Sequence, residues 1–323
     1  VPIYQTSTFV FDDAKQGEKR FAGEESGYIY SRLSNPTVEI LEKKMAILEG
    51  GEGALTFGSG MAAVSAVLLS LTKAGDHILC SQGLYGCTFG LLKLLEDKYD
   101  IDHNFSWFDS EATLQAALQP NTRVIFIETP INPTMKIIDL SMVVKVAKER
   151  GVMVVIDNTF STPYLQKPLE IGCDIVIHSA TKYIGGHGDV VAGVIVGAEN
   201  FMKEIKRTVH KDMGGIMSPF DAWLLIRGLK TLHVRMDRHC ENANKVFSQL
   251  KKHPKVKSIY FPGDTEHEDY EIVKKQMKKG GGLISFEIDG TKQDAQNFLD
   301  NVRLIKLAVS LGDTESLIQH PAS

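Results

Sequence analysis

Six short runs constrain this chain most: ALTF (54–57), HILCS (77–81), RVIFIETP (123–130), VMVVIDN (152–158), DIVIHS (174–179) and VAGVIVG (191–197). Several are apolar almost without interruption, as a strand must be when both faces of its sheet are covered. Stretches of helical period lie between them. Residues 36–48, PTVEILEKKMAIL, space Val38, Leu41, Met45 and Leu48 three or four apart behind Pro36. Residues 60–71 carry Met61, Val64, Val67, Leu68 and Leu71 in the same way, and SMVVKVAKERG also reads as a helix. Strands alternating with helices predict a largely parallel α/β sheet over residues 35 to about 200. Beyond Pro219 the texture changes. The stretch PFDAWLLIRGLKTLHVRMDRHCENANKVFSQLKKH predicts long amphipathic helices, and KSIYFP and GGLISFEIDG predict strands, so a smaller α+β domain is expected there.

Several function classes lose support. The 36 basic and 40 acidic side chains leave a net charge of −4, which gives no reason to expect a nucleic-acid or membrane-surface partner. No apolar run approaches the roughly 20 residues that span a bilayer. The opening VPIYQTSTF has neither the basic nor the apolar segment of a signal peptide, and Cys80, Cys87, Cys173 and Cys240 form no C-x-x-C pair. Reduced thiols in a cytoplasmic protein are the expectation. No metal is expected either. His267 lies in the charged run DTEHEDYE, His233 and His239 are six apart on a helix, and His187 falls in the turn GGHGD.

Ligands of open α/β sheets bind beyond the carboxyl ends of strands, and three such ends carry chemistry. Gly58, Ser59 and Gly60 lead into a helix whose free N–H groups suit a phosphate, although a plain turn capped by Ser59 explains them equally well. VMVVIDN delivers Asp157, a carboxylate that needs a partner if buried, or else a simple helix cap. DIVIHS leads to Lys182, flanked by Ser179 and Thr181. A poorly solvated lysine has its ammonium form disfavoured, and the neutral amine can attack a carbonyl, whereas a lone lysine is more often a snorkelling surface residue. Together the three supply a phosphate anchor, a partner for a pyridinium nitrogen and an amine for a Schiff base. Those are the protein parts that pyridoxal 5'-phosphate requires.

The segments SATKY, VIDNT, ETPINP, FGSGM and YSRLSNPT, in this order-preserving arrangement over nearly the whole chain, resemble the cysteine and methionine metabolism family of pyridoxal-phosphate enzymes. The resemblance implies the aspartate aminotransferase-like fold (fold type I): a large, mainly parallel sheet domain with a smaller C-terminal α+β domain. It further implies an arm at 1–34 contacting the neighbouring subunit, a cofactor domain at 35–233 and a C-terminal domain at 234–323, cut short at QHPAS. Lys182 would be the imine-forming lysine, with Asp157 facing the ring nitrogen. Gly60, Met61, Ser179 and Thr181 would contact the phosphate, and Tyr85 would stack on the ring and act as acid or base. Tyr30 and Arg32 would reach the phosphate of a neighbouring subunit, in a homotetramer built from two active dimers. Any lowering of the Tyr85 pKa would call for nearby cations, with the neighbour's counterpart of Arg32 the candidate.

The fold is shared within the family, so reaction type must come from the pocket. Cys87 with Lys211 and Asp212 resembles those members that cleave methionine, where the cysteine faces the substrate side chain. Taken alone, Cys87 is a small buried hydrophobe. Ser310 is a further substrate-site expectation, and Val309 stands where members acting on cystathionine tend to carry a glutamate. The implied reaction is α,γ-elimination of L-methionine to methanethiol, 2-oxobutanoate and ammonia, extending to homocysteine and cysteine. Lys182 would take the α proton and Tyr85 would protonate the departing sulfur. Cleavage of cystathionine, or another trans-sulfuration reaction, is the alternative. The family's substrate-carboxylate arginine is expected beyond residue 323, since no arginine follows Arg303.

Two other classes have less support in the sequence. Gly58, Gly60 and Ala63 satisfy G-x-G-x-x-A, a dinucleotide fingerprint, but the next strand ends in Ser81 and Gln82 instead of the acid such a site needs. A catalytically silent scaffold is opposed by the presence of Lys182.

Overall fold

The computed structural model describes residues 1–321. At its centre is a sheet of seven strands: β1 (Gly53–Phe57), β2 (His77–Ser81), β3 (Asp102–Ser106), β4 (Thr122–Glu128), β5 (Met153–Asp157), β6 (Ile175–Ser179) and β7 (Gly193–Gly197). Their spatial order is β1-β7-β6-β5-β4-β2-β3. From β3 to β6 all pairs are parallel, and β7 alone runs antiparallel to its two neighbours, β6 and β1. The carboxyl ends of β1, β2, β4, β5 and β6 therefore share one edge. Of these strands, β3 was not foreshadowed by an apolar run, because DHNFS is a polar strand at the sheet margin, buried on neither face.

Alternation along the central strands explains their unbroken apolar character. Val155, Ile175 and Ile177 face the helix Gly60–Leu71 through Ala63, Val67 and Leu68. Val154, Ile156 and Val176 point to the other face, onto Val143 and Val146 of the helix Leu140–Arg150. On that face, towards β7, the helix Pro36–Glu49 buries Leu41 and Met45 against Val194 and Val196. It is started by Asn35, whose carboxamide oxygen accepts from Thr37 N at 3.0 Å, and ended by Gly50 at φ 75°.

The long helical stretch after Pro219 is two helices, Pro219–Leu229 and Leu232–Leu250. Gly228 packs so closely on the backbone of Gly185 that a Cβ would lie 2.3 Å from its carbonyl oxygen. Arg235 seals the break by donating to Gly228 O and Tyr183 O at 3.0 and 2.7 Å. Beyond it, β8 (Val256–Tyr260) and β9 (Ser285–Ile288) pair antiparallel, and β10 (Lys306–Leu307) pairs in parallel with β11 (Leu317–Ile318). The helix Tyr270–Gln276 is tied to the large sheet's connections: Asp269 accepts from Ile137 N at 2.8 Å, and Gln276 accepts from Leu140 N at 3.2 Å.

Candidate active site

Neighbouring carboxyl ends of β4, β5 and β6 gather the chemistry. Asp157 closes β5, and its Oδ1 accepts from Thr159 N at 3.0 Å. Thr159 Oγ1 in turn accepts from Ser179 N at 2.8 Å, so one short turn couples the ends of β5 and β6. Burial raises the Asp157 pKa, opposed by its Thr159 hydrogen bonds and by the charge of His178.

Ser179 meets the start of the helix Gly60–Leu71. A Cβ at Gly60 would lie 3.0 Å from Ser179 Oγ, so the absence of a side chain is what lets that hydroxyl approach the helix N-terminus. Ser59 caps the helix by accepting from Ala62 N at 3.0 Å, while the N–H groups of Gly60 and Met61 belong to the first turn and have no intrahelical acceptor. Thr181 is engaged elsewhere: its hydroxyl donates to Ala192 O at 3.3 Å and accepts from Ala192 N at 2.9 Å, anchoring the turn before Lys182 to the approach of β7.

Lys182 is half-buried, and desolvation lowers its pKa. Its Nζ donates to Ser310 Oγ at 3.2 Å, carried there by the loop between β10 and β11. Gly312 makes that approach possible. Its φ is +88°, and a Cβ would lie 2.5 Å from Tyr183 N. Val309, beside Ser310, is 86% exposed.

Tyr85 and Cys87 stand at the start of the helix Gly86–Tyr99. Tyr85 is 54% exposed. Its pKa is raised, first by the Cys87 thiol, then by partial burial and by the charge of Glu128. Within the single chain the phenol is thus a firmer proton holder than free tyrosine. Cys87 is exposed, not the buried hydrophobe of its plainer interpretation.

Tyr30, Arg32, Lys211 and Asp212 form a separate exposed cluster. The Arg32 guanidinium lies 5.9 Å from the Tyr30 ring centre and donates to Lys211 O, and Lys211 Nζ is 3.2 Å from Asp212. Among the described residues, no hydrogen bond or ion pair joins this cluster to Lys182 or Asp157 of the same chain.

Glu128 is the residue that sequence reasoning passed over, although it ends an apolar strand as Asp157 does. It pairs in register with Asp157 across β4 and β5, accepts from Tyr85 N at 2.9 Å, and has its pKa pushed up to about 8 by burial and by the Asp157 charge. Buried Glu128 beside half-buried Asp157, with no cation bonded to either among the described residues, favours a proton or a cationic ring at this edge. A protonated pyridine nitrogen meets that demand. The cradle formed by Gly60, Met61 and Ser179 meets the demand of a phosphate. The residues present therefore fit pyridoxal phosphate. A dinucleotide fits less well, since β2 ends in buried Ser81, whose hydroxyl already accepts from Glu128 N at 3.2 Å, and the strand order is not that of a dinucleotide-binding sheet.

Comparison with known proteins agrees with this chemistry. The family model described as Cys/Met metabolism PLP-dependent enzyme matches residues 1–323. The chain is 50% identical over 325 residues to the L-methionine gamma-lyase of Fusobacterium nucleatum, covering 100% of this chain and 82% of the relative. It is 51% identical over 324 residues to the L-methionine gamma-lyase of Porphyromonas gingivalis, with coverages of 100% and 81%. The cystathionine gamma-lyase of Bacillus subtilis is 44% identical, with coverages of 100% and 82%. Among solved structures, metB from Corynebacterium glutamicum superposes with a TM-score of 0.95 at 40% identity, covering 100% of this chain and 82% of that one. Cystathionine gamma-lyase from Lactobacillus plantarum, complexed with L-serine, gives 0.93 at 41%, with the same coverages. An aspartate aminotransferase-like sheet, a lysine beyond its central strands and family-wide similarity from the first residue to the last place this chain among the Cys/Met metabolism PLP-dependent enzymes, with pyridoxal phosphate as its cofactor.

Proposed function

We propose that this chain is a carbon–sulfur lyase that converts L-methionine to methanethiol, 2-oxobutanoate and ammonia by α,γ-elimination. Half-identity along the whole chain to proteins named L-methionine gamma-lyase carries this reading. The exposed Cys87 two residues after Tyr85, and an apolar Val309 beside Ser310, support a thioether substrate over one with a distal ammonium group. Homocysteine and cysteine are expected as further substrates.

Pyridoxal phosphate, when bound, supplies an aldehyde that condenses with amines and a ring that accepts electrons from the substrate's α carbon. Gly60 and Met61 would hold the phosphate through first-turn N–H groups, with Ser179 adding its hydroxyl. Thr181 would contribute by holding the turn between Ser179 and Lys182, since Ala192 occupies its hydroxyl. Asp157 would keep the ring nitrogen protonated. Lys182, its pKa lowered by burial, gives up a proton more readily than free lysine and can then take the α proton. Ser310 steadies that amine. Tyr85, whose raised pKa keeps its phenol protonated at neutral pH, would donate to the departing sulfur. Lys211 and Asp212 would border the substrate.

Tyr30 and Arg32, exposed and unconnected to their own Lys182, support a site completed by a neighbouring subunit, in a homotetramer of two dimers. Exposed Val1, Ile3, Tyr4, Val10 and Phe21 give the arm at 1–34 apolar surface for such a contact, with the cofactor domain at 35–233 and the C-terminal domain at 234–323. A cytoplasmic location is proposed with it, in keeping with free Cys80, Cys173 and Cys240.

Product release from methionine and cystathionine, measured side by side, tests the reading. Methanethiol and 2-oxobutanoate from methionine are expected, with Cys87→Gly losing methionine preference. Faster turnover of cystathionine would favour the second reading, a cystathionine gamma-lyase, for which the Bacillus subtilis relative speaks.

A further inference from the structure

Glu49 occupies a position that local rules oppose. It is the last residue of the helix Pro36–Glu49, where the helix dipole disfavours a negative charge, and it is wholly buried. Its carboxylate nevertheless has two donors, and they come from different strand ends. His178 Nε2 lies 2.5 Å from Glu49 Oε1, and Asn158 Nδ2 donates to the same oxygen at 3.2 Å. His178 immediately precedes Ser179 at the end of β6, and Asn158 immediately follows Asp157 at the end of β5. One oxygen atom thus ties the two strands directly behind the two residues that face the cofactor.

The tie is continued outward. Asn158 Oδ1 accepts from Gln166 Nε2 at 3.0 Å, and Gln166 Oε1 accepts from Gln276 Nε2 at 3.1 Å, reaching the helix Tyr270–Gln276. Yet the centre is not fully satisfied. Glu49 Oε2 and His178 Nδ1 are buried without a hydrogen-bond partner, which a cluster kept only for stability would be expected to avoid.

We propose that Glu49 is a positioning residue for the cofactor: by holding His178 and Asn158 on one carboxylate oxygen, it sets the separation between Asp157 and Ser179, and so the span between ring-nitrogen partner and phosphate hydroxyl. The inference rests on the roles proposed above for Asp157 and Ser179. A ligand that must satisfy both ends at once feels that span. One lacking its phosphate does not.

The test is therefore the preference for pyridoxal phosphate over pyridoxal, measured by titrating each into the cofactor-free protein and following visible absorption. Glu49→Met removes the oxygen that accepts from both His178 and Asn158, and is expected to reduce that preference by about tenfold or more. His178→Leu should do the same, and His178→Gln, which retains an N–H donor, should restore it. An unchanged preference in folded Glu49→Met, with both ligands weakened equally or not at all, overturns the inference. Should Glu49→Met not fold, equal preferences in His178→Leu and His178→Gln overturn it instead. Ser179→Ala separates the layers. A normal preference there defeats the site reading and this inference with it, whereas a lost preference there beside a normal one in Glu49→Met defeats this inference alone.

Discussion

Glu128 and Asp157 face each other in register across β4 and β5, a buried and a half-buried carboxyl at the same edge of the sheet; burial and the Asp157 charge raise the pull of Glu128 for a proton, and desolvation raises that of Asp157. An arrangement so poorly suited to an empty cavity is well suited to a cationic ring.

Glu128 makes the cofactor-free protein sensitive to pH. Its carboxyl is pushed from 4.5 up to about 8, so between these values the folded state keeps a proton that the unfolded state has released. Stability falls as pH rises through that window. Thermal unfolding should show a declining Tm from about pH 5 to 8, with a shallower decline in Glu128→Gln. Glu42, buried and pushed up to about 7, acts in the same direction and leaves part of the slope in the variant.

Replacing Lys182 by alanine should lower 2-oxobutanoate release by roughly 10²–10⁴-fold, the usual contribution of a positioned acid–base group. Borohydride should then leave no cofactor attached to the chain. Attachment equal to wild type would assign the covalent link to another lysine.

Gly312→Ala strains a backbone at φ +88° and brings a Cβ against Tyr183 N. The loop between β10 and β11 should lift Ser310 away from Lys182. Kinetics with methionine should show a raised KM and a reduced kcat, while cofactor affinity changes little.

If Arg32 serves the neighbouring subunit, Arg32→Ala and Lys182→Ala fail in opposite sites of a dimer. Subunits of the two inactive variants, mixed and reassembled, should regain roughly a quarter of wild-type activity. Mixtures as inactive as their parents would confine each site to one chain.

Ile177→Ala opens a cavity beneath the site, where Ile177 is fully buried against the helix Gly60–Leu71. A loss of about 2–5 kcal/mol is expected from chemical denaturation of the cofactor-free protein.

Much of this molecule is legible in one dimension. Runs such as VMVVIDN and DIVIHS announce doubly covered strands because every residue meets a helix on one face or the other, and the polar residue ending each run marks the ligand edge. Asp157, Ser179 and Lys182 could be picked out for that reason. The strand DHNFS could not, since an edge strand with half-exposed faces carries no apolar run.

Local pattern thus determined the sheet, its covering helices and the polar residues at its edge, because burial on two faces leaves a periodic trace in the chain itself. Tertiary structure alone decided which of those residues meet. Glu128 beside Asp157, Ser310 against Lys182, and Glu49 reaching both His178 and Asn158 join residues 29 to 129 positions apart. Strand order and register create such meetings, and neither is written in the period of any one segment.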